Sequence, residues 1–229
     1  WYQHTPPDFV FSVKSPRYIT DIKRLKDIEG PLANFFASGI FNLREKLGPI
    51  LWQFPPSFRY DADKMKHFFQ LLPGDTKQAL RLARRREPHM TGRVRLAIDA
   101  TRNLRHAIEI RHESFVDESF VQLLREHNIA LVVADTAGKW PYREDVTADF
   151  LYLRLHGDKE LYASGYTDEA LTRWAQRIGA WKAGSQPDDA HVISTRPTPA
   201  RHPRDVYCYF DNDVKVKAPF DARNLMTKL

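Results

Sequence analysis

Six short segments, apolar or alternating in polarity and each bounded by turn residues, constrain the fold of this chain more than any other feature. They are Phe9–Lys14, Pro49–Phe54, Arg105–Arg111, Ile129–Asp135, Phe150–His156 and Val206–Asp211. Helical patterns lie between most of them, and the clearest is the apolar stripe from Leu171 to Trp181, with steps of three and four residues. Strands that alternate with helices predict parallel strands joined by crossover helices, and therefore an α/β fold.

The two faces of these strands differ in polarity. In Phe150–His156, with the sequence FLYLRLH, three leucines alternate with Tyr152, Arg154 and His156. A strand inside a doubly wound sheet is apolar on both faces, whereas a barrel strand turns one face to helices and the other to a lumen. We therefore predict a TIM-like (β/α) barrel over residues 1–229 as a single domain, incomplete at its N-terminus. A doubly wound sheet is the alternative, although no G-x-G-x-x-G turn follows any strand.

Composition excludes some classes of protein and leaves others open. Hydrophobic residues make up 42% of the chain, which is enough for a sizeable core. No apolar run approaches the ~18 residues of a membrane helix, so we expect no membrane partner. The lone Cys208 and a start without a signal-peptide pattern favour a reducing, cytoplasmic location. The net charge of +6 suits anionic ligands, but it also occurs in many proteins that bind none.

The motifs within and after these strands resemble one known family. The segments FSVKSPRYIT, GPILWQFPPSF, AIEIRHESF, LVVADTAGKWP, LYLRLHG and DVYCYFDND, read in order, are similar to the YecE-like family, known as domain of unknown function 72. The resemblance runs from Thr5 to the end of the chain and implies a TIM-like barrel of bacterial or archaeal type, with no settled biochemical activity.

Two departures from the family pattern accompany the resemblance. Members of that family normally begin with two further strands, one Gly-Ser-Gly-Trp-like and one with a Glu-x-Asn-like motif. The resemblance therefore implies that this chain carries strands three to eight of eight, without the pocket residues of the first two. Asp21 also stands where the family usually has a histidine.

Polar side chains at the ends of the strands predict one shared pocket, because the carboxyl ends of barrel strands meet at the same mouth. The predicted catalytic residues are Glu109, Asp135 and His156. The predicted substrate-binding residues are Lys14, Gln53, Arg111, Trp140, Arg154 and Asn212. Asp211 is an alternative to Asn212, since the parity of the last strand is ambiguous. Trp140 belongs to a loop, Gly138–Pro141, that is placed to cover the mouth.

Three chemistries fit these residues. In the first, the arginines and Lys14 clamp a phosphate or carboxylate, Glu109 or Asp135 acts as general base, and His156 acts as acid. In the second, Glu109, Asp135 and His156 hold a divalent metal for phosphodiester hydrolysis, but their spacing matches no compact metal motif. In the third, Glu109 and Asp135 form a glycosidase pair. The sequence indicates no particular cofactor, and we assign no metal site.

The function that we favour from the sequence is an enzyme or binder that acts on an anionic small molecule at the barrel mouth. A nucleic-acid-binding or phosphodiester-processing protein is the first alternative, based on the basic run Arg81, Arg84, Arg85 and Arg86. A non-catalytic interaction protein is the second alternative. In that case the charged residues of the lumen pair with one another as a structural network.

Overall fold

The six predicted strands are all present in the computed structural model, which describes residues 1–196 and 202–229. They are β1 (Phe11–Lys14), β2 (Leu47–Gln53), β3 (His106–Glu109), β4 (Ala130–Asp135), β5 (Phe150–Leu155) and β6 (Asp205–Phe210). Four of them end one or two residues before the predicted limit, which is the usual uncertainty of strand boundaries.

Within the residues that the structure describes, six α-helices lie between or after the strands. They are α1 (Glu29–Ala37), α2 (Ala62–Leu71), α3 (Thr76–Ala83), α4 (Glu118–Glu126), α5 (Asp168–Lys182) and α6 (Ala218–Met226). The starts of α2, α3 and α4 are fixed by Asp61, Asp75 and Asp117, whose carboxylates accept backbone N–H groups of the first turn. The apolar stripe predicted from Leu171 forms α5, and the Thr167 hydroxyl accepts the Ala170 N–H at its start.

The chain divides into two units, Trp1–Ile108 and Glu109–Leu229. In the first unit β1 and β2 are parallel, with Val13 opposite Ile50, and the Ile50 N–H donates to the Arg105 carbonyl ahead of β3 at 2.8 Å. In the second unit β4, β5 and β6 lie side by side in chain order, parallel throughout.

Trp52 on β2 is the centre of the core of the first unit. Its indole is fully buried and lies edge-on to Phe35 of α1 at 5.7 Å and to Phe68 of α2 at 5.2 Å, measured between ring centroids. Its N–H donates to Nδ1 of His106 at 3.1 Å, and Nε2 of the same ring lies 2.8 Å from the Pro73 carbonyl. Burial lowers the pKa of His106 to about 4, so this histidine is a neutral core residue at physiological pH.

The core of the second unit confirms the predicted faces of β5. The three leucines of the strand pack into one buried cluster with Trp174 and Ile178 of α5 and Leu225 of α6. On the opposite face, Tyr152 stacks on Tyr209 of β6 with ring centroids 5.1 Å apart, and Arg154 makes ion pairs.

A strand with one helix-covered apolar face and one polar face is typical of a barrel and not of a doubly wound sheet. The α/β fold, with parallel strands and helices between them, is therefore that of an incomplete TIM-like barrel, and the predicted fold class is confirmed. Within the described ranges, no helix is both long and apolar enough to cross a membrane.

Two glycines of the second unit give a test of this architecture. Gly157, after β5, has φ of +127°, and a Cβ there would lie 2.3 Å from the Glu160 carbonyl oxygen. Gly179 on α5 has no atom within 4 Å of an added Cβ. We expect Gly157→Ala to lower the free energy of unfolding by roughly 1–3 kcal/mol. Gly179→Ala should raise it by about 0.5–1 kcal/mol. Urea unfolding measures both changes in the free energy of unfolding. Changes of the same sign in the two variants would contradict the turn described at Gly157.

Candidate functional site

A buried carboxylate organises the strand ends of the second unit. Glu109, the last residue of β3, is fully buried. Its Oε1 accepts Nε of Arg111 at 2.8 Å, and its Oε2 accepts Nη1 of Arg154 at 2.5 Å. A buried charge without a counterion costs several kcal/mol. Two guanidinium groups balance this one, and the three predicted residues do come together.

Arg154 extends this network to the end of β6. Its Nη2 donates to Oδ2 of Asp211 at 2.5 Å, so one guanidinium bridges the Glu109 and Asp211 carboxylates. Burial opposes the charge of Arg154, but the two carboxylates outweigh burial and raise its pKa above the ordinary value. Both Nη groups are thereby committed, which makes Arg154 a positioning residue within the cluster.

His156 is the unusual member of the site. Its side chain is 0% exposed, and neither ring nitrogen makes a hydrogen bond in the described part of the chain. Nδ1 lies 3.1 Å from Oδ2 of Asp211 but makes no hydrogen bond to it. The rings of Trp140 and Tyr162 pack edge-on against the imidazole, with centroids 6.4 and 5.2 Å away. Buried polar atoms without partners are rare in native proteins and call for an explanation.

Trp140 also contacts the cationic part of the site. Its ring lies 3.8 Å from Cζ of Arg111 and 5.4 Å from Nζ of Lys139, both distances to the ring centroid. The backbone N–H of Trp140 donates to Oγ1 of the buried Thr136 at 3.1 Å, which anchors the loop. Arg111 is held by Glu109 and by the indole face, and its two Nη groups make no hydrogen bond to the residues that the structure describes.

The structure corrects the predicted placement of Asp135. Asp135 pairs with Leu155 in the β4–β5 register and has the parity of Val133, which packs in the helix-facing core. Its Oδ2 accepts the Tyr166 hydroxyl at 2.9 Å, and its carboxylate lines a separate cavity of about 340 Å³. The prediction that Asp135 shares an inward face with Glu109 and His156 is wrong, because the uniformly apolar residues before it carry no parity signal.

Asn212 lies beside the cluster and serves another contact. Its side chain is fully buried, and Nδ2 donates to the Ser164 carbonyl at 3.0 Å and to Oδ2 of Asp221 at 2.8 Å. Asn212 therefore ties the loop after β5 to α6. Asp211, the alternative at the ambiguous strand end, is the residue that contacts Arg154.

The other predicted ligand residues lie in the first unit. Lys14 ends β1 and Gln53 ends β2, and each has a polar or electrostatic contact of its own. Their part in ligand binding stays a prediction. Tyr162 and Tyr166, which complete the surroundings of His156 and Asp135, had no stronger signal in the sequence than their position in a loop after β5. Across residues 1–196 and 202–229, no group of three or more His, Cys, Asp or Glu side chains is arranged to hold a metal.

The strand order and the charged strand ends define an α/β protein of the TIM-like class, and comparison with known proteins gives its family. The family model described as protein of unknown function DUF72 matches residues 1–229, so the chain belongs to the DUF72 family. No curated protein matches it.

Two solved structures are similar to this chain, and both are DUF72 family proteins. The one from Thermotoga maritima MSB8 has a TM-score of 0.66 and 25% identity, over 99% of this chain and 74% of that one. The one from Enterococcus faecalis V583 has a TM-score of 0.58 and 16% identity, over 99% of this chain and 80% of that one. The second likeness shows the fold alone, and neither description names an activity.

The role of Glu109 as the counterion of two arginines is tested by Glu109→Gln. The neutral amide leaves two largely buried guanidinium groups undercompensated, so we expect the free energy of unfolding to fall by about 3–5 kcal/mol. Glu113→Gln is the control, since Glu113 is exposed and its side chain has no partner in the described part of the chain. A loss no larger than that of the control in urea unfolding would contradict the role.

The environment of Asp135 predicts a pH dependence. Burial, opposed by the Tyr166 hydrogen bond, raises the pKa of Asp135 above its ordinary value of 3.8. The folded protein then binds this proton more tightly than the unfolded chain, so the contribution of Asp135 to stability falls as pH rises from 3.8 through the raised pKa. Asp135→Asn removes this loss. Its free energy of unfolding relative to wild type should increase across that window and then level off, whereas a constant difference would refute the raised pKa.

Proposed function

We propose that the protein binds a small molecule carrying a phosphate or carboxylate group at the strand ends of the second unit, with Arg111 as the principal anion-binding residue. One observation carries this proposal: unbonded guanidinium donors and a buried histidine without ring hydrogen bonds lie beside the same indole. The Nη groups of Arg111 and the ring nitrogens of His156 both lack hydrogen-bond partners in the described part of the chain, and both side chains contact Trp140.

Charge and geometry favour an anion over a cation at this position. The carboxylates of Glu109 and Asp211 are matched by the guanidinium groups of Arg111 and Arg154, so the cluster alone is close to neutral. Lys139, at the Trp140 ring, adds positive charge beside it. With Nε held by Glu109 and its plane stacked on an indole, Arg111 loses little entropy when its free edge binds an oxyanion.

His156 is the group best suited to move a proton in this site. Glu109 accepts two charged hydrogen bonds, so its carboxylate holds the arginines in place and is a poor general base. Histidine is the side chain most often used to transfer protons in enzymes, and Nδ1 of His156 lies 3.1 Å from the Asp211 carboxylate. An enzyme built on this site would therefore use His156 for acid–base chemistry. A binding protein would use the same ring as a hydrogen-bond donor.

The loop that carries Trp140 governs access to the site. His156 is fully enclosed beneath the Trp140 and Tyr162 rings, so a ligand reaches it only when these side chains move. Closure of an aromatic loop over a bound anion removes water and strengthens the ion pairs beneath it. In this proposal, the enclosed position of His156 corresponds to the closed state of the loop.

Calorimetric titration with inorganic phosphate and with citrate as a carboxylate probe tests the proposal. We expect saturable binding of at least one probe, and at least tenfold weaker binding after Arg111→Gln, because a charge-assisted hydrogen bond is worth roughly 1.5–3 kcal/mol. Arg223→Gln is the matched control, since Arg223 is an exposed arginine of α6. The proposal fails if neither probe binds, or if Arg111→Gln binds as tightly as the control.

A basic surface formed by α3 and the two residues that follow it supports nucleic-acid binding as the second candidate function. Lys77, Arg81, Arg84 and Arg85 are exposed and form no ion pair with any described residue. Such a surface attracts a phosphate backbone through counterion release. Salt-dependent retention on duplex DNA that falls after joint replacement of Arg84 and Arg85 by Gln, together with no probe binding in calorimetry, would favour this candidate. If neither assay detects binding, the network of Glu109 is structural, as in a non-catalytic interaction protein.

A further inference from the structure

We propose that the cavity lined by Asp135 and α5 is a second binding site, which takes a small zwitterion of the amino-acid class. The cavity lies wholly within the second unit and has a volume of about 340 Å³. It opens on the helix-facing side of β4, whereas the anion site lies on the opposite face of the neighbouring strand. This proposal therefore does not rest on anion binding at Arg111.

The inner part of the cavity is held by a network of ion pairs and hydrogen bonds. Arg177 of α5 donates to the fully buried Glu144 at 2.8 Å and to Asp189 at 2.7 Å, so both of its Nη groups are in use. The second Glu144 oxygen accepts the backbone N–H of His191 at 2.8 Å. One guanidinium faces two carboxylates here, so these three side chains together carry a net charge of −1. Arg177 shapes the site and is not available to a ligand.

One wall of the cavity is aromatic. The ring of Tyr142 lies between the rings of Trp174 and His191, at centroid distances of 6.3 and 5.6 Å and with edge-to-face geometry. Burial and the neighbouring Glu144 carboxylate raise the pKa of the Tyr142 phenol well above its ordinary value, so the phenol stays protonated. A fixed wall of this kind offers apolar contact and ring faces to an organic ligand.

The remaining charges are opposite in sign and unpaired. Asp158, half-buried, and Arg173 of α5, exposed, both line the cavity, and neither makes an ion pair or side-chain hydrogen bond with a described residue. They do not pair with each other. Asp135 adds a second carboxylate near Asp158, close enough for the two to interact electrostatically. One pole of the cavity is therefore negative and the other positive.

A molecule with an ammonium and a carboxylate group matches both poles at once. Its ammonium would lie between Asp158 and Asp135, its carboxylate would accept from Arg173, and its side chain would pack on Trp174 and Tyr142. A simple amine would leave the arginine unused, and a simple acid would face two carboxylates. Burying a polar group without a partner is costly, so a ligand that engages both poles is preferred over one that engages a single pole.

Calorimetry with the set of common α-amino acids tests this site. The amino acid that binds best is then compared with its decarboxylated amine and with its deaminated acid. We expect each loss to weaken binding about tenfold or more, as does the removal of one charged hydrogen bond. Asp158→Asn should also weaken binding of the amino acid about tenfold. It should change binding of the deaminated acid little, because that acid has no ammonium group. Arg173→Gln should weaken binding of the amino acid and change binding of the amine little, because the amine has no carboxylate.

Two control variants separate the site from general surface charge. Asp188→Asn and Arg223→Gln remove an exposed acid and an exposed base of the same unit outside the cavity lining, and should leave binding within about twofold. All four replaced residues are free of side-chain partners in the described part of the chain, so thermal unfolding should be almost unchanged. The proposal is overturned if no amino acid binds, if the cavity variants behave like the controls, or if the amine alone binds as well as the amino acid.

Discussion

The ion pairs of the buried Glu109 carboxylate are the interaction on which the polar half of the second unit depends. One carboxylate fixes the direction of two guanidinium groups that come from different strand ends, and Arg154 passes the constraint on to Asp211. Both Glu109 oxygens accept hydrogen bonds, and these two bonds fix which guanidinium nitrogens of each arginine are used and which are not. The Nη groups of Arg111 make no hydrogen bond to a described residue, whereas both Nη groups of Arg154 are bonded. The chemistry available to a ligand thus follows from how one buried charge is neutralised.

Alternation along neighbouring strands separates this chemistry into two places. The register pairs Ala134 with Arg154 and Asp135 with Leu155, so the last polar residues of β4 and β5 point to opposite faces. Arg154 and His156 face the Glu109 cluster, whereas Asp135 faces α5 and the cavity beside it. A shift of one residue in this register would place all of them on one face and the leucines of β5 in the polar cluster. The register therefore maintains the apolar core and two distinct polar sites together.

How far the sequence predicts this arrangement depends on whether a strand carries a parity signal. In β5, leucines alternate with Tyr152 and Arg154, and the prediction of which side chains face the cluster is confirmed. In β4 the residues before Asp135 are all apolar, so nothing in the sequence distinguishes its faces. The partners of Asp135 and Asn212 are equally hidden. Tyr166 lies 31 residues after Asp135, and Asp221 lies nine residues after Asn212 across a turn and the start of α6, so no local sequence pattern predicts either contact.

The enclosure of His156 is the feature that links fold and proposed function most directly. A core histidine in a stable protein has its ring nitrogens bonded, as His106 shows in the first unit, with Trp52 on one nitrogen and a carbonyl facing the other. His156 is as deeply buried, but its ring nitrogens make no hydrogen bond to any described residue, and the side chains against the imidazole are Trp140, Tyr162 and Asp211. Two unbonded polar atoms in a buried side chain destabilise the folded protein, and the packing of the ring does not explain why they are there. A ligand that enters when the loop opens would offset this destabilisation, because it would bring the missing hydrogen bonds to a ring that is already held in place.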